Sequence, residues 1–172
     1  MMTASEAIRA RRSIRKFKPG QEVADEQVKA LLEAAMLSPS ACNSRPWEFV
    51  VVRDRAKLDK IREVHPYTGM LETASIAIVV MALPHTQVRP IDIGYWPQDC
   101  GAVTQNILIE AVAQGLGACW CGVYPKETRM AEVKSVLDLG VESVPFCVIA
   151  VGIPAEAPDA RGFYEEGKVR YI

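Results

Sequence analysis

The spacing of apolar residues restricts this chain to few architectures. Four short runs rich in β-branched and aromatic residues, Trp47 to Val52, Ile76 to Met81, Ala118 to Val123 and Pro145 to Val151, read as strands. Helical periodicity fills the intervals. After Asp25, the residues Val28, Leu31, Leu32, Ala35 and Met36 form one stripe, stopped by Ser38-Pro39. Asp54 caps a helix carrying Leu58 and Ile61. The strongest helix, about Gln98 to Gln114, turns Val103, Ile107, Leu108, Ala111 and Val112 inward, and Gly115 and Gly117 close it. A further helix, about Lys126 to Leu137, follows Pro125, and the capping box of Thr3 and Glu6 predicts a short one from Ser5 to Arg11. This alternation predicts helices layered on a sheet, without fixing strand direction.

Composition excludes several classes of function. A length of 172 residues is the size of one domain, and a chain of that size buries about 70% of its unfolded surface. With 49% hydrophobic residues the chain can offset its ordering entropy, so disorder is excluded. A formal charge of −1 leaves no global excess to attract nucleic acid or an acidic membrane. The longest apolar run, Ala74 to Leu83 with Ser75 inside it, is far below the roughly 18 residues of a membrane span, and Met1 to Glu6 carries no signal-peptide core. A cytoplasmic protein is expected. Five cysteines without framework spacing read as reduced thiols, mostly core filler. The tail from 154 to 172 lacks periodicity and is expected to run extended over the surface.

Three polar clusters stand out. Arg11-Arg12-Ser13-Ile14-Arg15 sets three guanidinium groups and a hydroxyl within five residues, a density suited to one compact phosphate or to a solvated basic helix end. Ser38 to Trp47 crowds short polar side chains between prolines, as a ligand-facing loop or an ordinary turn does. Lys168-Val169-Arg170 alternates, so an extended backbone puts both cations on one side.

Other chemistries lack their residues. Gly115-x-Gly117 has Trp at position 120 instead of a third glycine and precedes a strand, so it is not a dinucleotide fingerprint. Cys119-Trp120-Cys121 is a C-x-C at or beyond disulfide reach on a strand. His65 and His85 are isolated, read as surface or loop histidines, and support neither a metal site nor a hydrolytic triad.

Taken in order, the clusters resemble the nitroreductase family of FMN-dependent oxidoreductases. The match runs from Glu6-Ala7-Ile8 through Arg11 to Phe17 and Ser38 to Phe49. It continues through Asp99 to Ala102 with Gln105-Asn106, Gly115 to Gly122, Gly152-Ile153-Pro154 and Lys168-x-Arg170. The resemblance implies an α+β fold, a three-layer α-β-α sandwich with a mixed, mostly antiparallel sheet and an extended tail, forming one domain over residues 1–172. It implies a homodimer with FMN at the interface and the tail crossing to the partner subunit.

By the same resemblance, Arg11, Arg12 and Ser13 hold the FMN phosphate and ribityl end, Lys168 and Arg170 close on the phosphate, and Arg15 reaches the pyrimidine edge. Pro39, Ser40, Ala41 and Asn43 meet the same FMN from the other subunit, and Gly122 lies near flavin N5. Tyr67, Trp96 and Trp120 are candidates for the substrate face, with core packing the alternative for Trp120. No protein nucleophile and no metal is implied. NADH or NADPH passes hydride to N5 and leaves, and a nitroaromatic or quinone-like acceptor is then reduced in a ping-pong scheme. The alternatives are different flavin chemistry on the same fold, dehalogenation or flavin fragmentation, and a non-catalytic flavin-binding protein. One departure from the family pattern is Pro66 to Met70, which lacks the Asn and Lys of some members. A second is the 84–97 connection, too short for a large excursion over the substrate.

Overall fold

The computed structural model describes residues 2–86, 94–159 and 161–172. The Pro-rich connection after β2 lies partly outside the described residues, Pro90 included. The elements in chain order are α1 (Ala4–Ala10), α2 (Asp25–Met36), β1 (Trp47–Val52), α3 (Arg55–Val64), β2 (Ile76–Ala82), α4 (Trp96–Ala113), β3 (Gly117–Gly122), α5 (Glu127–Val136) and β4 (Val144–Gly152). Single 3-10 turns occur at Ala41–Asn43, Gly69–Glu72 and Glu166–Lys168. The predicted strands and helices are all present. Helix α4 begins at Trp96, two residues before its expected start, because Pro97 sits in the first turn, where its missing N–H costs no hydrogen bond.

The four strands form one sheet in the order β1-β2-β4-β3. All three strand pairings are antiparallel, and a parallel bridge joins Ser13, outside any strand, to Ala118 of β3. Side chains alternate across a pleated strand. Ile76, Ile78, Val80 and Ala82 of β2, with Cys147, Ile149 and Val151 of β4, therefore join the core beneath α2 and α4. Ala77, Val79 and Met81, with Val148 and Ala150, join the core beneath α3 and α5. Both faces of the central strands are covered, so each reads in sequence as an unbroken apolar run. The result is the expected three-layer α-β-α sandwich.

Two glycines fix the segment after α1 against the sheet. The Ile14 N–H donates to the Ala118 carbonyl at 3.0 Å, and the Ile14 side chain, 8% exposed, fills the space over Gly117. Three residues on, Phe17 packs over Gly152 and bridges to Pro154. With Ile14 and Phe17 buried, the arginines between and before them remain at the surface beside β3.

The tail after Pro154 is irregular and exposed, as expected. Val169 to Ile172 pair with no strand among the described residues. Phe163, Tyr164, Tyr171 and Ile172 stand exposed there. No helix among the described residues is long and apolar enough to cross a membrane.

Candidate functional site

A cationic cavity of about 500 Å³ is lined by Arg11, Arg12, Ser13, Arg15, Lys16, Glu156, Pro158 and Arg161. Its walls are built locally. Arg11 caps α1 through its backbone N–H, which donates to the Ala7 carbonyl at 2.9 Å. The Arg12 guanidinium donates to the carbonyls of Asp159, Arg9 and Arg11 at 2.9, 2.9 and 2.6 Å, tying the start of the tail to the end of α1. Glu156 Oε1 accepts the backbone N–H groups of Arg15 and Lys16 at 2.5 and 3.0 Å, which fixes the turn from which both side chains project. Two lining cations, Lys16 and Arg161, were not singled out in the sequence. Lys16 adjoins the recognised cluster, whereas Arg161 is brought in by the fold of an unpatterned tail.

Arg15 also lines a second cavity, of about 560 Å³, together with Pro66, Tyr67, Gly69, Met70 and Cys119 to Gly122. Volumes of this order suit small-molecule sites. Strand β3 is an edge of the sheet, and its Val123 neighbour donates N–H to the Phe146 carbonyl. Antiparallel alternation then turns the odd-numbered backbone groups toward β4 and the even-numbered ones outward. The Ala118 carbonyl meets Ile14, so the outward N–H groups of Trp120 and Gly122 face the cavity side.

The opposite wall is the 65–70 loop, stitched to β3 by His65. This histidine is fully buried at the C-terminus of α3, contrary to the surface or loop position expected for it. A residue ending an amphipathic helix and turning back onto a sheet is enclosed on both sides, which periodicity does not reveal. Its Nδ1 accepts the Tyr67 N–H at 3.2 Å, and its Nε2 lies 3.0 Å from the Gly122 carbonyl. Burial, and secondarily the Arg129 charge, hold its pKa below the ordinary imidazole value against the raising effect of the Gly122 carbonyl. Arg129 donates to the same Gly122 carbonyl at 2.9 Å, and its guanidinium lies 5.4 Å from the Tyr67 ring centroid.

Cys119 and Cys121 face this wall, and Cys121 Sγ contacts the Tyr67 carbonyl at 3.2 Å and Met70 Sδ at 3.9 Å. The neighbouring Cys121 thiol lowers the Cys119 pKa to about 7, aided by Arg15 and Arg11, and the Cys119 thiol raises that of Cys121. Four of the five cysteines are buried, Cys42 being the exposed one.

Two of the three substrate-face candidates, Tyr67 and Trp120, border the second cavity. Trp120 lies at the edge strand with its indole on the α4 side, 5.8 Å from Phe146, in an aromatic cluster where Trp96 stands 4.6 Å from Tyr124.

The 38–45 loop is held elsewhere, against α4. Ala41 N–H donates to Asp99 Oδ1 at 3.0 Å, Asn106 Nδ2 to Ser38 Oγ at 2.8 Å, and Arg45 N–H to Ser40 Oγ at 3.0 Å. Cys42, Asn43 and Arg45 all have positive φ, of 50°, 53° and 49°, a conformation non-glycine residues adopt at a cost. Pro39, Ser40, Ala41 and Asn43 line neither cavity within one chain. Nor do Lys168 and Arg170, and Lys168 pairs with Glu165 at 2.5 Å.

Comparison with known proteins gives a family for this geometry. The model of the "Nitroreductase family" matches residues 8–66 and 64–153. A protein of Methanothermobacter thermautotrophicus named "Putative NADH dehydrogenase/NAD(P)H nitroreductase" is 44% identical over 168 residues, covering 98% of this chain and 86% of that one. A crystal structure under the same name from Bacteroides thetaiotaomicron superposes with a TM-score of 0.91 at 39% identity, over 99% of this chain and 98% of that one. The "FMN-dependent Nitroreductase" of Clostridium difficile gives 0.86 at 29% identity over 96% of both. This chain belongs to the nitroreductase family.

Proposed function

We propose that the chain is an FMN-dependent oxidoreductase, one nitroreductase-like domain over residues 1–172, that moves hydride from NADH or NADPH to an electron-poor acceptor such as a nitroaromatic or quinone. One observation carries this reading: a cationic cavity and a sulfur- and tyrosine-lined cavity share a single residue, Arg15. The donor set fits FMN. Guanidinium forks match phosphate oxygens two at a time, so Arg11 and Arg12 with Ser13 would hold the phosphate, while Lys16 and Arg161 add charge. Arg15 would meet the pyrimidine edge, and the outward N–H groups of Gly122 and Trp120 offer donors to the ring edge.

When bound, FMN supplies two-electron acceptance and release at N5. The chain's residues position and tune. Arg15 favours negative charge gathering on the pyrimidine side. Tyr67 and Met70 wall the slot and reduce its contact with water. The absence of a nucleophile and triad among the recognised sequence features agrees with this division of labour.

A homodimer completes the account. The 38–45 loop, Lys168 and Arg170 stand away from the chain's own cavities, and the tail's exposed Phe163, Tyr164, Tyr171 and Ile172 suit burial against a second copy. In the dimer, Pro39, Ser40, Ala41 and Asn43 would face the partner's FMN, and Lys168 and Arg170 a phosphate. The test is FMN titration of the protein beside the Arg11→Ala/Arg12→Ala variant. The variant is expected to bind FMN at least about tenfold more weakly with an unchanged circular dichroism spectrum, since charge-assisted bonds are the strong ones. Unchanged affinity would reject the phosphate site.

A further inference from the structure

The buried imidazole of His65 joins the two walls of the second cavity, and every polar atom of its ring is engaged. The Tyr67 backbone N–H can only donate, so Nδ1, 3.2 Å away, must be the bare acceptor. The ring proton then resides on Nε2, from which it donates to the Gly122 carbonyl at 3.0 Å. The same carbonyl accepts Arg129 Nη1 at 2.9 Å. Thr68 Oγ1 donates to the His65 carbonyl at 2.8 Å, so the loop holds the ring in place as the ring holds the loop. The Gly122 carbonyl belongs to the 122–123 peptide, whose Val123 N–H donates to the Phe146 carbonyl at 3.0 Å, so β4 holds one side of this peptide and His65 with Arg129 the other. His65 thereby fastens the end of the edge strand to the 65–70 loop across the cavity.

We infer that His65, held as the Nε2–H tautomer, is a positioning residue that ties the Gly122 carbonyl to the 65–70 loop and so sets the cavity width for the flavin ring. The inference rests on the reading of this cavity as the FMN site. His65 touches neither flavin nor acceptor; it acts through Gly122 and through the Tyr67 backbone. Its two ring bonds do different jobs and can be separated by substitution. In His65→Gln the longer amide keeps a donor near the Nε2 position, within reach of Gly122. In His65→Asn the shorter amide keeps an acceptor for Tyr67 and loses the reach to Gly122.

The experiment is FMN titration by fluorescence quenching of the full chain and both variants, with circular dichroism of each FMN-free form. Loss of one neutral hydrogen bond corresponds to a factor of about five to ten. His65→Asn is expected to bind FMN that much more weakly, and His65→Gln to stay within about threefold of the parent. Equal weakening in both variants, or none in His65→Asn, would overturn the positioning role. A long-range proton–nitrogen spectrum of the unsubstituted chain supplies a test free of folding effects. It should show Nε2 protonated and Nδ1 bare at neutral pH, and a proton on Nδ1 would contradict the clamp. Failure of the unsubstituted chain to bind FMN would instead reject the proposed function, while the nitrogen spectrum still decides the hydrogen-bonded clamp.

Discussion

Ile14 occupies the space a side chain on Gly117 would need. A Cβ at Gly117 would lie 2.8 Å from Ile14 Cγ2 and 2.9 Å from Ile14 Cβ, closer than carbon atoms pack. This contact lets the segment carrying Arg11, Arg12 and Arg15 lie flush on the edge of β3, with Ile14 N–H bonded to Ala118. Gly117 thus serves the placing of the arginines, whereas the turn out of α4 is made by Gly115, with φ of 72°.

Gly117→Ala is expected to displace this segment. The branched Ile14 side chain cannot swing far without leaving the core, so overpacking should cost about 1–3 kcal/mol in urea unfolding and weaken FMN binding together with it. Gly140→Ala is the control, because a Cβ there meets nothing within 4 Å and Gly140 lines neither cavity. A Gly117→Ala protein as stable as its parent would show that the segment is not fixed by this contact.

His65 predicts a loss of stability in acid. Its pKa in the fold is lowered, chiefly by burial, so the unfolded chain takes up a proton near pH 6.5 that the folded chain refuses. The stabilisation is fully present above about pH 6.5 and is lost as pH falls toward the folded value, with a slope of at most about 1.4 kcal/mol per pH unit from this one group. The charged or titratable groups near the ring are Arg129 from α5 and Tyr67 from its own loop, whose ring centroid lies 6.2 Å away. Urea unfolding of the unsubstituted chain should fall more steeply between about pH 7 and 5 than that of His65→Gln. Parallel profiles would contradict a neutral buried His65.

The cysteines should differ in reactivity. Cys119, its pKa lowered to about 7 chiefly by the neighbouring Cys121 thiol, should be the first of the four buried thiols to take up iodoacetamide in the FMN-free chain. Burial pushes Cys147 up to about 12 and raises Cys100 further still, so these two should label only on unfolding. Mass spectrometry after timed alkylation distinguishes the order, and native labelling of Cys100 ahead of Cys119 would refute it.

Much of this was legible in the sequence for identifiable reasons. The strands of β2 and β4 announced themselves because both faces are buried, and α2 because it is buried on one face and leaves a clean stripe. The arginine cluster was legible because its residues are adjacent in the chain. Arg161 and Glu156 were not, because an aperiodic tail gives no indication of which residue it will lay beside Arg12 or Arg15. His65 was misread as peripheral because burial at a helix end depends on what folds over it. That Tyr67 and Trp120 border one cavity depends on the 65–70 loop meeting β3, a contact that lies outside the sequence.

The central claim is that this chain accepts electrons from a nicotinamide through bound FMN. The direct measurement is anaerobic titration of the FMN-loaded protein with NADH and, separately, NADPH, followed by addition of a quinone. The account predicts that at least one donor bleaches the yellow flavin absorbance and that the quinone restores it. A loaded protein that stays yellow with both donors would contradict it.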